Sequence, residues 1–96
     1  MKRTPQISPL LTHAELLYTI GAKARQRREL LGLSRRELAA KSGVSEPTIA
    51  RFELNGTATL SVMIKLARAL NALDSFNSLF STESYSSLDE FLNATS

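Results

Sequence analysis

Apolar residues recur along this chain at helical spacing, and the polar residues between them form start and stop signals. The first signal is Thr12-His13-Ala14-Glu15, flanked by Leu11 and Leu16. A threonine hydroxyl can accept an orphan amide of the first turn while a glutamate three residues in reaches back to the cap, and flanking apolar residues staple the entry. This predicts a helix from His13 to about Leu31. Ile20, Ala24, Arg28 and Leu31 share one face of it, and Gly32 ends it in a left-handed conformation. Ser34-Arg35-Arg36-Glu37 repeats the device, with Leu33 and Leu38 as the staple, and predicts a short helix from Arg35 to about Ser42, followed by Gly43. Ser45 is a third cap, set between Val44 and Ile49. Pro47 follows in the first turn, where a missing N–H costs little, and the Asn55-Gly56 turn closes that helix. Thr59 caps a fourth helix with Leu60, Met63, Ile64, Ala67 and Leu70 at helical spacing, and Asp74 caps a fifth with Phe76, Leu79 and Phe80.

The ends differ from this middle. Residues 1–11, with two prolines and two bases and no periodicity, read as a flexible arm. Residues 81–96 read as a polar, Ser-rich tail, yet Ser87-Leu88-Asp89-Glu90 is one more capping box, and Phe91 and Leu92 follow it. A single turn there, with apolar Leu88, Phe91 and Leu92, is too short to fold alone and must dock on its own domain or on a partner, or stay disordered. These three residues are the candidate partner or dimer contacts. Strand-like alternation of β-branched residues is absent. The predicted fold is all-α, a compact five-helix domain over residues 12–80.

Charge sharpens the picture. Residues 1–70 hold all 12 Lys and Arg against 5 acids, a balance of +7, whereas residues 71–96 hold Asp74, Glu83, Asp89 and Glu90 with no base, a balance of −4. Eight of the bases lie between Lys23 and Arg51. A basic body of this kind favours a polyanion through phosphate neutralisation and counterion release. No stretch approaches the ~18 to 20 apolar residues of a membrane span, and no apolar segment follows the charged start as a secretory signal requires. The chain has no Cys, which excludes disulfides and thiolate chemistry and fits a reducing cytoplasm. His13 is the only His, at a surface position with no second ligand, so no metal site is expected. No nucleophile–base pairing and no Gly-rich phosphate loop is recognisable; a non-enzyme without cofactors is expected.

The informative stretch is LSRRELAAKSGVSEPTIARFELNG. It reads as an eight-residue helix, a turn pivoting on Gly43 and a second helix presenting its N-terminus outward. Leu38 and the small Ala39 face inward, and Val44, Ile49 and Phe52 fill the space between the helices. Ser45, Glu46, Pro47 and Thr48 remain outside with Arg51 one turn on, a face that fits a groove ~12 Å wide.

At these residues the sequence resembles the Xre or lambda-repressor/Cro-like helix-turn-helix family. The resemblance runs from about Ile20 to Phe80, through GAKARQRRELLGLSRRELAAKSGVSEPTIARFELNG and the fourth-helix segment TLSVMIKLARAL. It implies a lambda-repressor-like fold docking in the DNA major groove, with Glu46, Pro47, Thr48 and Arg51 at base-reading positions. Pro47 stands where the family often has a polar residue and offers only apolar contact, for instance to a thymine methyl. Glu46 either accepts from a cytosine amine or repels stray phosphates, and Arg51 either grips a base or lies against phosphate. The phosphate set is Arg35, which stands where the family often has Gln, with Arg36, Lys41, Ser45, Asn55 and Gly56. Arg28 and Glu53 match positions that often form a partly buried ion pair.

Two functions compete on this sequence. One is a cytoplasmic, nucleoid-associated transcriptional regulator of bacterial type, a homodimeric repressor of its own operon on an inverted-repeat operator in double-stranded DNA. A single domain buries only ~600 to 1,000 Å² on DNA, so useful affinity normally needs two copies. The other is an antitoxin of a toxin–antitoxin module. NGTATLSVMIKLARAL followed by Leu73 is also similar to the HipB-like antitoxins, which pair with HipA-type kinase toxins, and Leu88, Phe91 and Leu92 would then hold the toxin. A helix-turn-helix serving only to dock proteins is disfavoured by the bases from Lys23 to Arg51.

Overall fold

The computed structural model of the chain describes residues 11–82 and 88–95, without the side chains of Leu88, Phe91 and Thr95. Most of the predicted N-terminal arm, the Ser87 cap and the side chains of two of the three tail contacts therefore lie outside the described residues. All regular structure among the described residues is helical: α1 His13–Leu30, α2 Arg35–Ser42, α3 Glu46–Asn55, α4 Leu60–Ala69, α5 Leu73–Asn77 and α6 Leu88–Thr95.

The helices start where side-chain oxygens satisfy first-turn amides. The Glu15 amide donates to Thr12 Oγ1 at 3.0 Å and the Thr12 amide to Glu15 Oε1 at 2.9 Å, closing a capping box. Ser34 and Glu37 close a second, at 2.8 and 3.0 Å. Ser45 and Thr59 cap α3 and α4. Two helices end in Schellman turns. In the first, Gly32 at φ 73° hands its amide to Glu29 and the Leu33 amide to Arg28. In the second, Asn71 takes the left-handed position at φ 59° and the Ala72 amide reaches back to Ala67. The α4 terminus is held from across the fold as well: Arg27 Nε donates to the Leu70 carbonyl at 2.7 Å and Arg27 Nη2 to the Asn71 carbonyl at 2.8 Å. A cation at a helix C-terminus answers both the orphan carbonyls and the helix dipole.

The core gathers Leu38, Val44, Ile49, Phe52, Leu66, Ala69 and Leu70, with Ile20, Ala24, Leu33 and Met63 packed against it. Helix α1 packs on α3, α2 on α3 and α4, and α4 on α5.

Five sequence expectations are corrected. Leu31 sits at the α1 cap and is exposed, and Leu33 packs on the core in its stead. Leu60 is exposed at the start of α4, where Leu66 and Ala69 supply the burial. Asp74 is not the cap of α5: that helix begins after Ala72, with no side-chain cap, because the Asn71-Ala72 turn ends α4 and starts the next helix at once. Asp74 lies in the first turn, still favourably placed toward the dipole. Phe80, expected on the apolar face of α5, is 93% exposed, because α5 stops at Asn77 and a left-handed φ of 62° at Phe80 redirects the chain. The C-terminal helix α6 has eight residues, two turns where one was expected.

Helices α1 and α3 meet backbone to backbone at two glycines. A Cβ on Gly21 would stand 2.2 Å from the Phe52 carbonyl oxygen, and one on Gly56 would stand 2.0 Å from the Leu17 carbonyl oxygen. Neither neighbour is a flexible side-chain end that can swing aside. Gly21→Ala, at an ordinary helical φ, is therefore expected to lower stability by about 1 to 3 kcal/mol through overpacking. Urea unfolding checks this; a stability gain of the usual helical Gly-to-Ala kind would mean that the two helices are not locked at this distance.

Candidate nucleic-acid interface

The α2–α3 pair is joined by a tight turn that the sequence builds locally. Gly43 at φ 79° terminates α2, its amide donating to the Ala39 carbonyl, and Ser45 opens α3 three residues after Ser42. Ser45 Oγ donates to Thr48 Oγ1 at 2.8 Å and accepts from the Thr48 amide at 3.3 Å, so the cap also fixes the Thr48 hydroxyl. Val44, Ile49, Phe52 and Glu53 are buried, which turns the opposite side of α3 outward. Glu46, Pro47 and Arg51 are exposed there and Thr48 is half-buried. Arg51 follows Pro47 by four residues and Thr48 by three, so these three share one face by the helical period.

Behind this face lies a carboxylate that serves three helices. Glu53 Oε2 accepts from Arg28 Nε at 2.6 Å, while Oε1 accepts from Arg28 Nη2 and from Arg35 Nε, both at 3.0 Å. Arg28 also donates through Nη1 to the Leu33 carbonyl at 2.9 Å. The Glu53 side chain is 2% exposed, that of Arg28 9% and that of Arg35 40%. Burial by itself pushes the Glu53 carboxyl up, but hydrogen bonds from Arg28 and Arg35 and their two charges outweigh it and hold it below its ordinary value. Arg28 is correspondingly raised, chiefly by its hydrogen bond to Glu53. The structure thus brings Arg28 and Glu53 together and adds Arg35, whose link to Glu53 sequence reasoning missed. Arginine at the first position of α2 was visible as a charge. The partner 18 residues on, which takes up its Nε, was not.

The other sequence candidates lie on α2 and at the end of α3. Arg36 and Lys41 are exposed on α2, and Asn55 is exposed at the end of α3 with its side-chain oxygen accepting from the Thr57 amide at 2.9 Å. Gly56 differs from the expectation. It is buried, its amide donates to the Phe52 carbonyl at 2.8 Å, and it abuts Leu17, so its role is the α1–α3 contact and not an open amide for phosphate. Among the described residues no cluster of His, Cys, Asp and Glu is suited to hold a metal, and no helix is long and apolar enough to cross a membrane.

An all-helical domain with a tight α2–α3 turn, an outward α3 face and arginines at its edge defines a helix-turn-helix DNA-binding protein. A family model described as helix-turn-helix matches residues 25–74, more than half of the chain. The chain belongs to this family, the Xre or lambda-repressor-like helix-turn-helix proteins, and at family level it is a DNA-binding transcription regulator. No curated protein matches the sequence.

Because the folded state holds Glu53 below the 4.5 of a free glutamate, its contribution to stability is complete above that pH and is lost as pH falls through the lower folded value. Glu53→Gln is expected to destabilise at neutral pH, by roughly 3 to 5 kcal/mol in the fully buried limit, since it leaves Arg28 without its counter-charge. The variant should also lose part of the acid dependence below pH 4.5. Urea unfolding from about pH 2.5 to about pH 7, with an Arg28/Glu53 double-mutant cycle, checks both; zero coupling would mean the pair is not a stabilising unit.

Proposed function

We propose that the chain acts as a homodimeric repressor of its own operon, binding an inverted-repeat operator with α3 in the major groove. The observation that carries this reading is the outward Pro47–Thr48–Arg51 face of α3, set against a buried side fixed by Ile49, Phe52 and Glu53. In this reading Glu46, Pro47, Thr48 and Arg51 meet base edges. Arg35, Arg36, Lys41 and the Ser45 and Asn55 turns meet phosphates. Arg35 is the phosphate contact this reading relies on most. Glu53 holds its Nε, which leaves the amino groups of the half-exposed guanidinium as donors at the start of α2. A single domain of this size offers a modest DNA footprint, and two copies on two half-sites supply the rest. The same DNA face would serve an autorepressing antitoxin of the HipB-like kind, which adds a protein partner; the homodimeric regulator is the reading adopted, because it requires only DNA and a second copy.

Two measurements test it. Arg35→Ala is expected to weaken binding to all DNA sequences alike and to lower the slope of log affinity against log salt by about one unit, with Arg35→Lys intermediate. An unchanged slope removes Arg35 from the phosphate set.

Arg51 is tested by selecting binding sites from a random DNA library with wild type and Arg51→Ala. A bidentate arginine–guanine contact is worth roughly 1 to 3 kcal/mol of discrimination, so the variant should relax preference at one base pair in each half-site and nowhere else. The two pairs should be symmetric about the operator centre, with half-site centres ~10 bp apart. The same consensus, selected more weakly, would make Arg51 a phosphate contact and pass base reading to Glu46 and Thr48.

A further inference from the structure

The core leaves an apolar groove open between α1, α4 and α5. Ile20, Ala24, Met63, Leu66, Phe76 and Leu79 are among its lining residues, and it encloses about 460 Å³. Leu79 at its edge is 52% exposed. Lys23 and Arg27 of α1 also line it; Arg27 is fixed there by the α4 carbonyls, and Lys23 is exposed. Among the described residues, none from α6 contributes to the lining. An apolar depression of this size on a small protein marks a binding surface, and the bases on its wall favour an acidic occupant.

We infer that the groove receives helix α6 of a second copy of this chain. The sequence sets Leu88, Phe91 and Leu92 at i, i+3 and i+4, one face of a helix. Asp89 and Glu90 stand in its first turn, and beyond residue 70 the chain carries four acids and no base. The occupant therefore matches the groove in both respects, apolar side chains for its floor and the Asp89 carboxylate, which flanks that face, for Lys23 and Arg27. An eight-residue helix is too short to persist on its own and gains its stability from the surface it packs on. From Thr82 to Leu88 the chain can span at most ~20 Å, enough to cross to a copy lying beside it. Reciprocal exchange of the two helices closes a two-fold pair in which both grooves are filled. The inference rests on the homodimer proposed above and names its interface.

The chain has no Cys, so introduced thiols report this contact without background. Lys23→Cys chains mixed with Asp89→Cys chains under mild oxidation are expected to give a disulfide-linked heterodimer that neither chain gives alone. A chain carrying both substitutions that links only within itself would show docking in cis and overturn the exchange, as would the absence of any cross-link. Light scattering on the full chain adds a second readout. Deletion of residues 83–96, Leu79→Glu and Lys23→Glu should each convert dimer to monomer, and Asp89→Lys placed in the Lys23→Glu chain should restore the dimer. If the truncated chain stays dimeric and still protects an inverted repeat, the interface is wrong while the dimeric regulator stands. If wild type is monomeric both free and on DNA, the dimeric reading falls as well.

Discussion

The Glu53 carboxylate sits where three helices converge, and a buried charge tolerates very little freedom in its partners. Desolvation of an unpaired carboxylate costs several kcal/mol, so the folded state exists only in arrangements that bring cations to it with good geometry. Arg28 arrives from α1 with two donors and Arg35 from the start of α2 with one. Arg28 also reaches the Leu33 carbonyl in the α1–α2 connection. One acceptor on α3 thereby fixes the positions of α1 and α2 relative to the helix that carries the outward face.

The backbone reinforces this. Gly21 and Gly56 let α1 and α3 approach until carbonyl oxygens fill the space a methyl group would occupy. The charge cluster and the glycine contacts act on the same pair of helices, one by attraction between named atoms and the other by removing bulk. Arg35 belongs to both the interior and the surface. Its Nε is drawn inward while much of its side chain stays in solvent, so the geometry of the core is transmitted to a half-exposed cation at the start of α2. Next to Arg28 in sequence, Arg27 uses its donors on the α4 terminus and borders the apolar groove. Two neighbouring arginines of α1 thus tie it to two other helices through different acceptors, a carboxylate of α3 and the carbonyls that end α4.

Local features were legible in the chain before any folding was known. The starts of α1 to α4 follow from Thr12, Ser34, Ser45 and Thr59, because a cap is completed within three residues and needs no help from the rest of the chain. The pivot at Gly43 and the inward set Leu38, Val44, Ile49 and Phe52 were legible for the same reason, as positive φ and helical period are properties of short segments. So was the outward placement of Pro47 and Arg51.

Other features exist only once the helices meet. Arg35 reads as a surface charge until Glu53, 18 residues away, is folded against it. Gly56 reads as a turn glycine, and its packing against Leu17 depends on two helices meeting. Asp74 had the chemistry of a cap, but the Asn71-Ala72 turn that ends α4 had already started α5. Phe80 had the right spacing for the core and lies in solvent because α5 ends before it. Hydrophobic period and capping chemistry say which residues can face inward and where a helix can begin. Which of them do so is set by the distances between helices, and those are fixed by contacts across tens of residues of sequence, at Glu53 and at the two glycines.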